Sequence, residues 1–437
     1  MSTVDKSKVV GIIGLGAMGK MYARRFSQAG WAVCASDLPA NYETFKKEFE
    51  DTAIEILLDG HQVSRKADFI IYSVEASNID KVVEMYGPSS KIGAIVGGQT
   101  SCKLPEINAF EKSLPPDVEI ITVHSMHGPQ VDPRGQPLVI IQHRAKDKSR
   151  EFVENVMGCL NSRIVHLTAD EHDSITADTQ AVTHMAFLSM GTAWKANKQY
   201  PWAHARLAGG LENAKINIAL RIYSNNYHVY AGLAITNPKA HDQTLQYASS
   251  VTELLKLIVA GKREQLKERL YAAKEYVFRR VNEDPSHSML LPDELLGQFS
   301  LSKDVTGTAR NPNSHLSILG IVDSWYQRKI VPYDHMICST PLFRVLLGVT
   351  EFLFMTPGLL DQCIEDAFST TSYRGDDIEF VIAARSWSTV VRNGDFEAYR
   401  IMFEDTQKYF QHMFPEATKL GNEMFKAINE RQLKKAL

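Results

Sequence analysis

Residues 8–37 read "KVVGIIGLGAMGKMYARRFSQAGWAVCASD". A β-branched run meets Gly14-x-Gly16-x-x-Gly19, passes into a helical pattern, and returns through a second apolar run to Asp37. That order predicts a β-α-β unit with its glycines at the first turn. Gly14 permits the tight turn, Gly16 lets backbone approach a pyrophosphate, and Gly19 lets the helix pack on the strand. Leu15, Ala17 and Met18 complete the loop, and the helix N-terminus turns its positive end towards phosphates. A dinucleotide site is therefore expected at Gly14–Gly19, with Ser36 and Asp37 at the tip of the second strand. An acid at that tip takes ribose hydroxyls and disfavours a 2′-phosphate, which points to NAD. Ser36, Asn41, Tyr42, Lys46 and Lys47 offer the contrary option, a cradle for a phosphate.

Outward from this unit, "DFIIYS", "IGAIVG", "VEIITV", "LVIIQ" and "RIVHL" follow in order. Most are nearly continuous apolar runs, as expected of parallel strands buried on both faces. They predict a doubly wound parallel sheet, a Rossmann-like domain over residues 1–168. The whole chain of 437 residues has room for two or three domains. Apolar residues make up 44% and charged residues 23%, with a formal net charge of −3. That balance, without a basic block, excludes a nucleic-acid surface. No apolar run approaches the ~20 residues of a membrane span, and the polar start "MSTVDKSK" does not read as a signal peptide. Five scattered cysteines without a CxxC pair read as reduced thiols of a cytoplasmic protein.

From about Thr168 the apolar period changes to that of helices, so an all-α C-terminal region is expected. It carries an internal echo. "THMAFLSMGTAW" (183–194) resembles "SHLSILGIVDSW" (314–325), and "VAGKREQLKERLYAAKEYVF" (259–278) resembles "VRNGDFEAYRIMFEDTQKYF" (391–410). Two echoes in the same order predict a duplicated helical unit, with Arg344 the counterpart of Arg221. The expected divisions are 169–290, a substrate or dimerisation-type domain, and 291–437, a degenerate second unit. Residues 282–314, rich in Pro, Ser, Asn and Gly, read as a connector.

Candidate chemistry gathers at four places. His124 and His127 stand in "ITVHSMHGPQ" (121–130), expected just past a strand's carboxyl end, where doubly wound sheets bind ligands. Ser101, in "GGQTSCK" (97–103), belongs to the loop after the preceding strand. His184 falls on the first C-terminal helix. "RIYSNNYHVY" (221–230) brings Arg221, Asn225 or Asn226, and Tyr230 towards one face if the helix is continuous. Metal, proton chemistry and turn packing are all open to the two strand-end histidines. HxxH lacks third and fourth ligands at matching spacing, so no metal is expected. For His184 the plain reading is a satisfied interface histidine, and for Arg221 an ion-pair partner.

These stretches together resemble the prephenate dehydrogenase family. The likeness runs through Gly14–Gly19, "GGQTSCK", "HSMHGP", "EHDSITADTQAVTHMAFLSMG" (171–191) and "RIYSNNYHVY", over about residues 8–280. Here the family's H-P-M-x-G motif is His124-Ser125-Met126-His127-Gly128, with Ser replacing Pro. Its D-Q-G-S becomes Gly98-Gln99-Thr100-Ser101. The resemblance implies a catalytic His124 assisted by Ser101, with His127 a variable neighbour. It matches E-H-D to Glu171-His172-Asp173 and assigns substrate binding to His184, Arg221, Tyr230 and Asn226. The long C-terminal region is similar to the eukaryotic, fungal-type form, which implies NADP where Asp37 alone implies NAD. The activity implied is oxidative decarboxylation of prephenate to 4-hydroxyphenylpyruvate in tyrosine biosynthesis.

Three other readings are weighed against it. Arogenate dehydrogenase would need an acid placed for the substrate's ammonium group. A phosphogluconate-type dehydrogenase would need a lysine in "EHDSITADTQAVTH" (171–184), which has none. A non-catalytic NADPH sensor would have no use for His124, Ser101 and Arg221 together. A duplicated helical unit also implies that the chain is either a pseudo-dimeric monomer or a homodimer.

Overall fold

The structure is a computed structural model that describes residues 6–204, 207, 209–301 and 312–435. The first five residues and positions 302–311 of the expected connector lie outside the described residues. The chain divides into two compact units, Met1–Thr176 and Ala177–Leu437. The division falls later than residue 168, because the helix over Ala169–Thr176 belongs to the first unit.

In the first unit strands and helices alternate. They run β1 (Val9–Ile13), α1 (Ala17–Gln28), β2 (Ala32–Ser36), α2 (Tyr42–Glu48), β3 (Ile54–Ile56), α3 (Gly60–Lys66), β4 (Phe69–Tyr72) and α4 (Ile79–Tyr86). Then come β5 (Ile95–Gly98), α5 (Lys103–Ser113), β6 (Glu119–Ser125), β7 (Pro137–Arg144), α6 (Asp147–Met157), β8 (Arg163–His166) and α7 (Ala169–Thr176). The strand order is β3-β2-β1-β4-β5-β6-β7-β8, whose first six positions are the Rossmann order. Residues of α1 and α6 pack on one face of the sheet, and those of α3, α4 and α5 on the other.

Two features depart from the expected sheet. β7 runs antiparallel to β6, where a parallel strand was expected. The segment 126–136 between them holds no helix, and a parallel neighbour needs a crossover. β6 also extends to Ser125 and pairs His124 with Val139. His124 therefore stands inside the strand's last turn, not beyond its end.

The second unit contains only helices among its described residues. A π-helical turn, Ala177–Ala181, leads into α8 (Val182–Ala196), α9 (Gly210–Tyr223), α10 (Tyr227–Thr236), α11 (Pro238–Val259) and α12 (Arg263–Val277). Two short helices follow, α13 (Arg279–Glu283) and α14 (Asp293–Gly297). The series then repeats as α15 (Leu316–Gln327), α16 (Pro341–Met355), α17 (Leu359–Ser369), α18 (Arg374–Arg392) and α19 (Phe396–Phe410), with α20 (Phe414–Lys435) last. Packing follows the repeat. α11 lies on α15 as α18 lies on α8; α12 meets α15 as α19 meets α8; α10 meets α19 as α17 meets α12. Exchanging the two series maps each of these pairs onto another, and α11 packs directly on its counterpart α18. One apolar cluster spans both series. The described part of the expected connector joins it, through Leu291, Leu296 and Phe299.

The matched helices correct one pairing. Arg221 lies in the last turn of α9 but Arg344 in the first turn of α16. Arg344 donates to the Ser339 hydroxyl and carbonyl at its own helix start. The two arginines are not counterparts. No single described helix is long and apolar enough to cross a membrane.

Candidate functional site

The glycine loop is shaped by the two close approaches its residues allow. Gly14 adopts φ 103°, and a Cβ there would strike the Ser73 carbonyl at the end of β4. A Cβ on Gly19 would strike the carbonyl of Gly14, so the first turn of α1 can rest on β1 only with glycine at that place. Gly16 is different: it caps α1, and a Cβ on it would meet nothing within 4 Å. The first turn of α1 has no side-chain cap and no acidic residue. Its N–H groups are therefore left for an anion. Gly16 and Ala17 are exposed and Met18 half-buried, while Leu15 points into the core.

At the tip of β2 the carboxylate of Asp37 is already engaged. It accepts the Leu15 N–H at 2.7 Å and the Asn41 side-chain amide at 2.8 Å. Ser36 is fully buried and its hydroxyl has no partner. Asp37 thus braces the glycine loop, an arrangement that spacing alone did not foretell. Lys46 and Lys47 stand in the last turn of α2, with Lys46 over the Tyr42 ring at 5.4 Å.

His124 is set by long-range partners. Its Nδ1 lies 2.7 Å from His172 Nε2, and His172 Nδ1 lies 2.8 Å from Asp173 Oδ1. Asp173 also accepts the backbone N–H groups of Lys103 at 2.7 Å and Leu104 at 2.8 Å, where α5 begins. The Cys102 thiol donates to its other oxygen at 3.4 Å. Burial, the neighbouring His172 and Lys103, and His127 hold His124 well below the ordinary histidine value. Burial also lowers His172, against the opposing pull of Asp173. For Asp173, burial works upward, but its hydrogen bonds from His172, Leu104 and Lys103 prevail and keep it low. The resulting state is an ionised carboxylate behind two neutral imidazoles.

Beneath this row lies Lys103, fully buried. Its ammonium donates to Glu106 at 2.9 Å, Thr122 at 3.0 Å, the Val123 carbonyl at 2.7 Å and the Gly98 carbonyl at 3.3 Å. Glu106 in turn accepts the Thr100 N–H at 3.0 Å and its hydroxyl at 2.6 Å. The ion pair therefore clamps the loop after β5, which carries Ser101, to the end of β6, which carries His124. Ser101 is half-buried, and its hydroxyl makes no hydrogen bond among the described residues. Ser125, in place of proline, shares a 2.6 Å hydrogen bond with Tyr22 of α1. His127 faces its own loop, with Nδ1 2.9 Å from the Gly128 carbonyl and a buried Nε2 that has no partner.

In the second unit, His184 and Tyr230 meet edge to face, ring centroids 4.7 Å apart. Burial pushes His184 down to about 3 and Tyr230 up to about 12. His184 Nδ1 is buried without a partner. The stretch 221–230 is not one continuous helix: α9 ends at Tyr223 and α10 starts at Tyr227. It is Asn225, across this break, that donates to the Tyr230 hydroxyl at 2.8 Å, while Asn226 is exposed as the cap residue of α10. Arg221 donates to Asn422 at 2.6 Å and stacks over Phe425 at 4.9 Å. No described carboxylate pairs with it, so the expected anion is not supplied from within this unit.

Sequence reasoning quoted Glu171-His172-Asp173 but gave those residues no work; the triplet itself was the signal. Glu171 caps its own helix by accepting the Thr168 N–H and hydroxyl, each at 2.8 Å. His172 and Asp173 are buried and turned to His124. Among the described residues no group of three His, Cys, Asp or Glu side chains is disposed to hold a metal ion.

Comparisons with known proteins agree with this geometry. A family model described as the 6-phosphogluconate dehydrogenase C-terminal domain matches residues 181–430, and one described as coenzyme F420-dependent NADP oxidoreductase matches residues 9–96. The chain is 57% identical over 429 residues to the prephenate dehydrogenase (NADP+) of Saccharomyces cerevisiae, covering 97% of this chain and 94% of that protein. It is 55% identical over 421 residues to the probable prephenate dehydrogenase (NADP+) of Schizosaccharomyces pombe, covering 96% and 97%. Among solved structures, prephenate dehydrogenase from A. aeolicus, in complex with hydroxyphenyl propionate and NAD+, matches in fold with a TM-score of 0.50. That chain is 18% identical, and the match covers 63% of this chain and 98% of that one.

Proposed function

The chain belongs to the prephenate dehydrogenase family, and from that membership we infer its reaction: prephenate is oxidatively decarboxylated to 4-hydroxyphenylpyruvate, with NADP as hydride acceptor, in tyrosine biosynthesis. The observation that carries this is 57% identity over nearly the full length of both chains to a prephenate dehydrogenase (NADP+).

The residues present fit a dinucleotide. An open cradle at Gly16, an uncapped helix start at α1 and a partnerless Ser36 hydroxyl provide donors for phosphate and ribose. Gly14, Leu15, Gly16, Ala17, Met18, Gly19 and Ser36 would hold it. Asp37 would act through the loop it braces, and a carboxylate spent on Leu15 N–H and Asn41 weighs less against a 2′-phosphate than a free one. When bound, NADP supplies the acceptor for the hydride leaving C4 of the substrate.

This chain's own side chains manage the proton and the charges. As C4 gains carbonyl character, its hydroxyl proton becomes acidic, and neutral His124 accepts it. CO₂ leaves C1, the ring becomes aromatic, and the proton returns to the phenolic oxygen. Ser101, with a hydroxyl not committed to protein, adds a hydrogen bond to that oxygen or to the nicotinamide. Prephenate is a dianion and the protein carries a net charge of −3, so a local cation must capture it. Arg221, lacking a described carboxylate partner, is assigned that task, with His184, Tyr230 and Asn226 as its companions.

The test is NADP reduction on adding prephenate, then arogenate, with NAD as the alternative acceptor. Turnover with prephenate and NADP is expected to exceed the other combinations. Turnover confined to arogenate would overturn the substrate, and none with either would overturn the reading.

A further inference from the structure

We propose that His172 and Asp173 are positioning residues that fix the tautomer of His124, leaving its Nε2 as the proton-accepting atom. This rests on His124 as the proton acceptor and adds which nitrogen acts and what decides it.

The argument runs inward from Asp173. Its two oxygens accept the N–H groups of Lys103 and Leu104 and the thiol of Cys102, so the group facing them is a carboxylate and only an acceptor. His172 Nδ1, 2.8 Å away, must therefore carry a hydrogen. A neutral His172 with hydrogen on Nδ1 has a bare Nε2. That bare nitrogen lies 2.7 Å from His124 Nδ1, which must then be the donor. Neutral His124 is left with its lone pair on Nε2, which meets no protein group among the described residues. Three hydrogen-bonding atoms in line thus transmit one polarity from the start of α5 to the end of β6.

The same row answers the charge that follows. When His124 takes a proton it becomes an imidazolium among groups that oppose it: His172, Lys103 and His127. Asp173 is the nearest compensating anion, acting through His172, and Glu106 beyond it is tied to Lys103. The logic parallels a buried carboxylate holding a catalytic histidine in its working tautomer.

Three substitutions separate this from a merely structural role. His172→Gln preserves the polarity, since its carbonyl accepts from His124 and its amide donates to Asp173. His172→Leu breaks the row while leaving the start of α5 capped. Asp173→Asn puts an amide donor where only an acceptor serves. With saturating NADP, kcat is expected to fall by about 10²–10⁴-fold in His172→Leu and Asp173→Asn, with KM for prephenate changed by less than about threefold. His172→Gln should retain turnover within about tenfold of the native enzyme. Losing the anion also disfavours the imidazolium, so the acid limb of kcat against pH should move to lower pH in Asp173→Asn. Because Asp173 also caps α5, its variant is judged only if NADP still binds by fluorescence titration; His172→Leu decides otherwise. Native kcat and an unmoved acid limb in His172→Leu would overturn the proposal. If His124→Asn itself keeps turnover, the assignment of His124 fails. If that variant is inactive while His172→Leu is normal, only the present inference fails.

Discussion

Lys103 and Glu106 form an ion pair 2.9 Å long in which neither side chain has any solvent exposure. Such a pair tolerates loss of both charges better than loss of one, because a single deletion strands a buried ion. Lys103→Met should therefore lower the unfolding free energy by about 3–5 kcal/mol. Lys103→Met combined with Glu106→Leu should recover part of that loss. Urea unfolding of the two variants measures the difference. A double variant less stable than the single one would mean that Thr100, Thr122 and the Val123 carbonyl need the charges more than the charges need each other.

His124→Asn should lower kcat by about 10²–10⁴-fold with KM little changed. His127→Asn should cost far less, since His127 is occupied with the Gly128 carbonyl. Burial and neighbouring cations hold His124 well below 6.5, so the base is present throughout neutral pH. Activity should decline only on the acid side, as pH falls through that depressed value. Steady-state rates between pH 5 and 8 check this; a limb centred above 6.5 would contradict it.

His184 titrates at about 3 in the fold against 6.5 in its absence. A depressed value means that the unfolded chain binds the proton more readily. The stability held above 6.5 is therefore lost progressively as pH falls towards 3. Between pH 7 and 5 this one group should withdraw about 2 kcal/mol, at 1.36 kcal/mol per pKa unit. In His184→Gln the loss over that interval should be smaller by about that amount. Chemical denaturation at the two pH values measures it; equal losses would mean that His184 is hydrated.

Arg221→Ala should raise KM for prephenate with kcat less affected, a loss of roughly 2–5 kcal/mol if the site is dry. Arg221→Lys should rescue only in part, lacking the planar fork. An unchanged KM in Arg221→Ala would confine Arg221 to packing on Phe425 and holding Asn422.

The paired helices bear on assembly. A two-fold interface is self-complementary, and a second copy on the same chain can take a partner's place. The exchange pattern of α8–α12 with α15–α19 leads us to expect a monomer. Light scattering should then give a mass near 49.0 kDa. About twice that mass would show that the chain dimerises through another face.

The nucleotide-binding unit was legible because its signals are local. Gly14-x-Gly16-x-x-Gly19 between a β-branched run and a helical pattern specifies a turn whose sterics involve neighbours close in sequence. The duplicated helices were legible for a related reason: repeated period and repeated order survive where contacts are unknown. Ser101 and His124 were found from their places after and at strand ends.

Tertiary structure decided what depends on groups far apart in the chain. Nothing local says that β7 reverses; the absence of a crossover helix in 126–136 decides it. Asp37 reads as a ribose ligand until Leu15 N–H and Asn41 are seen to occupy it. Arg344 reads as the counterpart of Arg221 until one is placed at a helix start and the other at a helix end. His172 lies 48 residues from His124, and Asn422 lies 201 from Arg221. A sequence pattern records which side chains share a face of one element. Which elements face each other, and so which proton donor meets which acceptor, is fixed only when the elements pack and their buried polar groups must all find partners.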